Sequence, residues 1–101
     1  MMAIAEVTII PIGTGSTSLS SYVAELQKVL AEQPGITYEL TSMSTIIEGD
    51  ISDLLAAIAV LHETPFESGA QRVSTSVKID DRRDQVSSSK QKLQSVREKL
   101  Q

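Results

Sequence analysis

Ile36-Thr37-Tyr38-Glu39-Leu40-Thr41-Ser42-Met43-Ser44-Thr45-Ile46-Ile47-Glu48 carries two β-type runs, Ile36–Leu40 and Met43–Glu48, parted only by Thr41-Ser42. Working outward, each run belongs to one half of a pattern that occurs twice. Upstream, a β-type stretch (Ile4–Pro11) passes through a Gly/Ser/Thr-rich loop into a helical pattern (Leu19–Leu30), which leads to the first run. Downstream, the second run leads into another helical pattern (Ile51–Leu61) and then a last β-type stretch (Val73–Ile79). The order is β-α-β followed by β-α-β.

That order predicts an α+β, ferredoxin-like βαββαβ antiparallel sheet with two helices on one face, the other face left bare. The helices rest on periodicity. Leu19, Tyr22, Val23, Leu26, Val29 and Leu30 form one apolar stripe, and Ile51, Leu54, Leu55, Ile58, Leu61 and His62 repeat its offsets. Thr17 or Ser18 is the expected cap of the first helix, and Asp50 of the second, with Asp53 in its first turn. Pro34-Gly35 and Pro65 are the expected breakers.

Alternation supplies the strands. Ala5, Val7 and Ile9 are expected to face the helices, which puts Ile4, Glu6, Thr8 and Ile10 on the open face. In the last strand Val73, Thr75, Val77 and Ile79 face one way and Ser74, Ser76 and Lys78 the other. A bare face that carries isoleucines suggests cover by another subunit's sheet. A third helical segment, roughly Val86 to Leu100, has Val86, Leu93 and Leu100 seven apart with Val96 between, a narrow coiled-coil-like stripe. It is expected to dock on its own domain's edge or on a neighbouring subunit.

Composition narrows the function classes. With 101 residues the chain is read as a single domain over 1–101, with 84–101 a C-terminal helical extension. The lack of cysteine excludes disulfides and thiolate metal sites, and His62 alone cannot make a multi-histidine site. No apolar stretch approaches the ~20 residues that span a bilayer, and no cation precedes the first apolar run as in a secretory signal. A cytoplasmic protein with no membrane partner is the expectation. A net charge of −4 opposes nucleic-acid binding, and the strand Val73–Ile79 lacks the stacking aromatics of an RNA-recognition sheet.

Candidate chemistry is sparse. The loop Pro11-Ile12-Gly13-Thr14-Gly15-Ser16-Thr17-Ser18 has the glycines of an anion cradle but neither the lysine nor the spacing of a triphosphatase loop. The same want of a cation removes an acylphosphatase-like reading. Thr45 and Glu48 lie three apart, so strand geometry aims them at opposite faces. Glu48 can answer a cationic or amine-bearing ligand. His62 reads as a packed residue, and Asp80-Asp81-Arg82-Arg83-Asp84 as a salt-bridged turn. Nothing supplies a nucleophile, base and orienter with local spacing, so no enzyme is expected.

Ile10-Pro11-Ile12-Gly13-Thr14, Tyr38-Glu39-Leu40-Thr41 with Met43 and Thr45, Ile47-Glu48-Gly49, His62-Glu63, Gly69-Ala70 with Arg72-Val73, Ile79-Asp80-Asp81-Arg82-Arg83-Asp84 and Ser95-Val96 together resemble the small, single-domain thiamine-binding-protein family, related to the tandem YkoF-type proteins. The resemblance covers nearly the whole chain. It implies a ferredoxin-like subunit that pairs sheets into dimers or tetramers and binds thiamine or its hydroxymethylpyrimidine part in the cytoplasm, with no catalytic cofactor. Carried over onto matching positions, it makes Thr45, Glu48 and Thr14 ligand-binding candidates. Tyr38 joins them as an aromatic on a central segment, and Glu6 and Thr8 join by open-face geometry. Ser42 and Ser44 depart from the family's stretch, where Pro and Gly are expected. The rival readings are a regulatory domain of the amino-acid-sensing kind and a purely structural oligomerisation module.

Overall fold

The computed structural model describes residues 2–84 and 88–100. The elements run β1 (Met2–Pro11), α1 (Ser20–Ala31), β2 (Ile36–Leu40), β3 (Thr45–Asp50), α2 (Ile51–Glu67), β4 (Val73–Asp80) and α3 (Ser89–Lys99). The strands form one sheet in the order β2-β3-β1-β4, with every neighbouring pair antiparallel. Element order and strand order together are those of the ferredoxin-like fold.

Register fixes what each face carries. Ala5 pairs with Ile47 and Ile79, and Ile47 pairs with Tyr38, so these four share a face. On it Ala3, Ala5, Val7, Ile9 and Ile47 are buried against Leu26 and Leu30 of α1 and Leu54 and Leu61 of α2. Each fully buried leucine or isoleucine stabilises the fold by about 1.5–3 kcal/mol. α2 lies close over β1, β3 and β4, whereas α1 packs chiefly on α2. On the bare face, Thr37, Glu48, Ile4 and Asp80 form one cross-strand row, and Glu39, Ile46, Glu6 and Lys78 the next. The expected facing of β1 is therefore what the register shows.

Several boundaries differ from the sequence reading. β3 begins at Thr45 rather than Met43, because Thr41–Ser44 closes a turn in which the Thr41 N–H donates to the Ser44 carbonyl at 2.8 Å. Neither Thr17 nor Ser18 caps α1; Leu19 stands at its N-cap without a side-chain bond, while Ser18 and Ser16 bond each other within the loop. Asp50 is the N-cap of α2, yet its carboxylate makes no capping bond. Pro65 does not end α2, which continues to Glu67. A proline lacks the N–H that would bond four residues back, normally a break. Here it falls in the last full turn and its ring is fully buried, so apolar burial offsets the missing bond. Gly69, at φ +101°, then redirects the chain. α3 is shorter than the stripe implied, and Val86 lies outside the described residues.

Candidate functional site

Because α1 leans on α2 and β3 stops at Thr45, a cavity of about 220 Å³ remains between α1, β1 and the Thr41–Ser44 turn. Its walls are Val23, Leu26 and Leu30 of α1, Val7, Thr8 and Ile9 of β1, Leu40, Leu61, the turn itself and Thr45, with Gln27 as the one amide. Every lining residue is uncharged. Gln27 Nε2 donates to Thr45 Oγ1 at 3.1 Å in a partly buried position. The turn is stiffened from within: Thr41 Oγ1 donates to the Ser44 carbonyl at 2.9 Å and accepts from the Ser44 N–H at 3.0 Å. Such a space suits a small, flat, neutral group able to exchange hydrogen bonds at its rim. A cation buried there would meet no countercharge, a severe cost.

The six sequence-predicted residues do not converge on one place. Thr45 and Thr8 line this cavity. Glu6 sits on the bare face, cross-strand from Ile46 and Lys78, and accepts from Ser44 Oγ at 3.3 Å. Glu48 is also on the bare face, opposite to Thr45 as strand geometry requires, but its carboxylate accepts the Ser89 N–H at 2.5 Å. That contact, with Ser88 Oγ accepting from the Gln91 N–H at 3.1 Å, satisfies two N–H groups in the first turn of α3 and places a negative charge at its positive end. Lys92 pairs with Asp80 nearby. Tyr38 is on β2 at the sheet edge, in register with buried Ile47, and borders a more open groove with Thr37, Glu39, Glu48 and Lys90. Thr14 stands apart in the exposed β1–α1 loop, its hydroxyl donating to the Ser16 carbonyl at 3.1 Å.

Gln27 is the cavity residue that sequence reasoning missed. Its signal was present: a neutral amide four residues after Val23 and three before Leu30, hence on the stripe side of α1. His62 is held by Thr75, with Nδ1 and Oγ1 2.7 Å apart, and meets the Phe66 ring edge-on at 5.6 Å. It joins α2 to β4 and lines no cavity described above. In the charged run, Arg82 grips Asp84 (2.6 and 2.9 Å) and Arg83 grips Asp81 (3.1 and 2.7 Å). The hydrogen bond from Arg83 holds the Asp81 carboxyl below its ordinary value, and each guanidinium is raised by the carboxylate it grips. Among the described residues no group of three or more acids and histidines could hold a metal ion. Nor is any described helix long and apolar enough to cross a membrane.

Comparison with known proteins places the chain in a family and agrees with its fold. The model of the family described as thiamine-binding protein matches residues 5–97. The chain belongs to that family. Within it, the chain is 52% identical to the UPF0045 protein YqgV of Bacillus subtilis over 99% of both sequences. It is 44% identical to a UPF0045 protein of Methanothermobacter thermautotrophicus over 98% of this chain and all of that one. Among solved structures, hypothetical protein MJ1052 of Methanocaldococcus jannaschii superposes with a TM-score of 0.85 at 35% identity, covering 94% of this chain and 95% of that one. A candidate thiamine biosynthesis/salvage protein of Thermotoga maritima superposes at 0.77 over 95% and 99% of the chains. Its 14% identity makes it evidence of fold alone. Nearly every element described above, from the middle of β1 into α3, thus falls within the family's own span.

Proposed function

We propose that this protein binds thiamine through its aminopyrimidine part, in the cavity beneath α1, and releases it unchanged. The observation that carries this reading is an uncharged, mostly apolar cavity with a Gln27–Thr45 polar pair, in a chain of the thiamine-binding family. Size and charge choose the part of the vitamin. The cavity's roughly 220 Å³ falls below the ~300–1,000 Å³ of pockets that engulf drug-sized ligands, so it admits one ring. The thiazolium, a fixed cation, then stays in water near the mouth. Glu48 and Glu6 are not ligand residues on this reading; Glu48 holds α3 and Glu6 holds Ser44. The bare face and α3 serve assembly of a homo-oligomer.

Titration calorimetry with thiamine, hydroxymethylpyrimidine, the isolated thiazole alcohol and a panel of amino acids tests the proposal. Saturable binding of the first two, with the thiazole silent, is the expected result. Binding of an amino acid alone would favour a sensing domain and sink this reading, as would silence throughout. Thr45→Val removes the acceptor for Gln27 while keeping the shape, and is expected to weaken pyrimidine binding by ~3- to 10-fold. Recovery of the ligand chemically unchanged after long incubation is the expected outcome for a binder.

A further inference from the structure

The wall of the cavity formed by β1 has a polar feature that no side chain supplies. The Ile12 N–H donates to the Arg72 carbonyl at 2.8 Å, just beyond the β1–β4 register that ends at Pro11↔Val73. In an antiparallel ladder the N–H and C=O of one residue point to the same side, and successive residues alternate sides. Even-numbered residues of β1 therefore exchange bonds with β4, and odd-numbered ones point toward β3. For Val7 that works, because Thr45 lies opposite. The β1–β3 register ends there, and the chain before Thr45 turns away, with the Ser44 carbonyl engaged by Thr41. Ile9 is two residues further along, only 9% exposed, and lines the cavity. Among the described residues no strand stands opposite its N–H and C=O.

We infer that the Ile9 backbone is the specificity element of the cavity, reading the edge of a planar heterocycle that carries an amino group beside a ring nitrogen. This rests on the pyrimidine-binding function proposed above. The ring nitrogen accepts from the Ile9 N–H and the amino group donates to the Ile9 C=O, the two-way exchange that a paired strand residue would make. A buried backbone pair demands such partners, since leaving either group unmet in an apolar wall is costly. Of the polar side chains in the lining, Gln27 and Thr45 are partly spent on each other, and Thr41 is spent on the backbone of Ser44 within the turn. Ring identity is thus read by main chain, and no substitution at Ile9 other than proline, which lacks the N–H, would remove the contact.

Two measurements on the intact protein test this. In ¹⁵N–¹H correlation spectra titrated with hydroxymethylpyrimidine, the Ile9 amide is expected to move downfield as the site fills. The Val7 amide, already bonded across the ladder, is expected to move far less. The desamino analogue, lacking the donor for the Ile9 carbonyl, is expected to bind about 10-fold more weakly or worse. Saturation of the site with an unmoved Ile9 amide, or equal affinity for the desamino analogue, overturns the inference and leaves the pyrimidine-binding reading intact. Failure of both compounds to bind overturns that reading and this inference with it.

Discussion

Gly49 of β3 shows how little freedom single positions leave around the sheet. A Cβ added there would lie 2.7 Å from the Gly35 carbonyl oxygen, a backbone atom that cannot swing aside. Gly35 itself sits at φ +76°, where a side chain is strained, and a Cβ would press on Asp53 of α2. The two glycines let the α1–β2 connection pass against β3, so that β2 can pair from Ile36 onward. Gly49→Ala is expected to destabilise the protein by roughly 1–3 kcal/mol, the usual range for overpacking. Urea denaturation should show a lower midpoint with an unchanged slope; an unchanged midpoint would mean that the Gly35 segment moves freely. A milder effect belongs to Thr75, whose hydroxyl holds His62. Thr75→Val leaves the imidazole without that partner and is expected to cost about 1 kcal/mol.

Elements were legible where local pattern and tertiary packing agree. The 3.6-residue stripes of α1 and α2 and the alternation of β1 marked their existence and, apart from Leu55, which is 52% exposed, their inward faces, because the buried sides of those elements are continuous. Pro65 misled because its cost is local while its compensation, complete burial against the core, is tertiary. The candidate cavity was barely legible for the same reason. It arises from α1 leaning on α2 and from β3 ending early, neither of which any spacing records; spacing set Thr45 and Glu48 on opposite faces, but not that Thr45 lines a cavity while Glu48 ties down α3. α3 gives the clearest consequence. None of its described residues is buried, and its ties to the sheet are Glu48 to the Ser89 N–H and Asp80 to Lys92. Glu48→Gln retains an acceptor but removes the charge at the helix N-terminus, worth about 0.3–1 kcal/mol. The expected result is faster tryptic cleavage after Arg97 and Lys99 with pyrimidine affinity unchanged within twofold. A large loss of affinity would return Glu48 to the ligand site.

At the scale of the whole molecule, the shape leaves apolar surface uncovered. The subunit measures 47 × 30 × 19 Å, and its radius of gyration of 15.0 Å exceeds the ~13 Å of a compact chain this long. The excess belongs with α3, which buries none of its own residues and leaves Leu93, Val96 and Leu100 exposed on one side. The bare sheet face adds Ile10, with Ile4 and Ile46 half-covered farther along it. Each apolar side chain costs little when alone, but a helix stripe and a sheet face together are surfaces that association would bury. A symmetric pair of subunits would set these surfaces against their own copies. Light scattering at micromolar concentration is therefore expected to give a multiple of the 10.9 kDa subunit mass. Ending the chain at Asp84 is expected to lower that multiple while pyrimidine binding persists, because α3 touches no part of the cavity beneath α1. A full-length monomer would mean that water, not protein, covers the isoleucines of the bare face. An unchanged multiple after truncation would leave the sheet face as the whole interface and α3 as a helix tied only to its own subunit through Glu48 and Asp80.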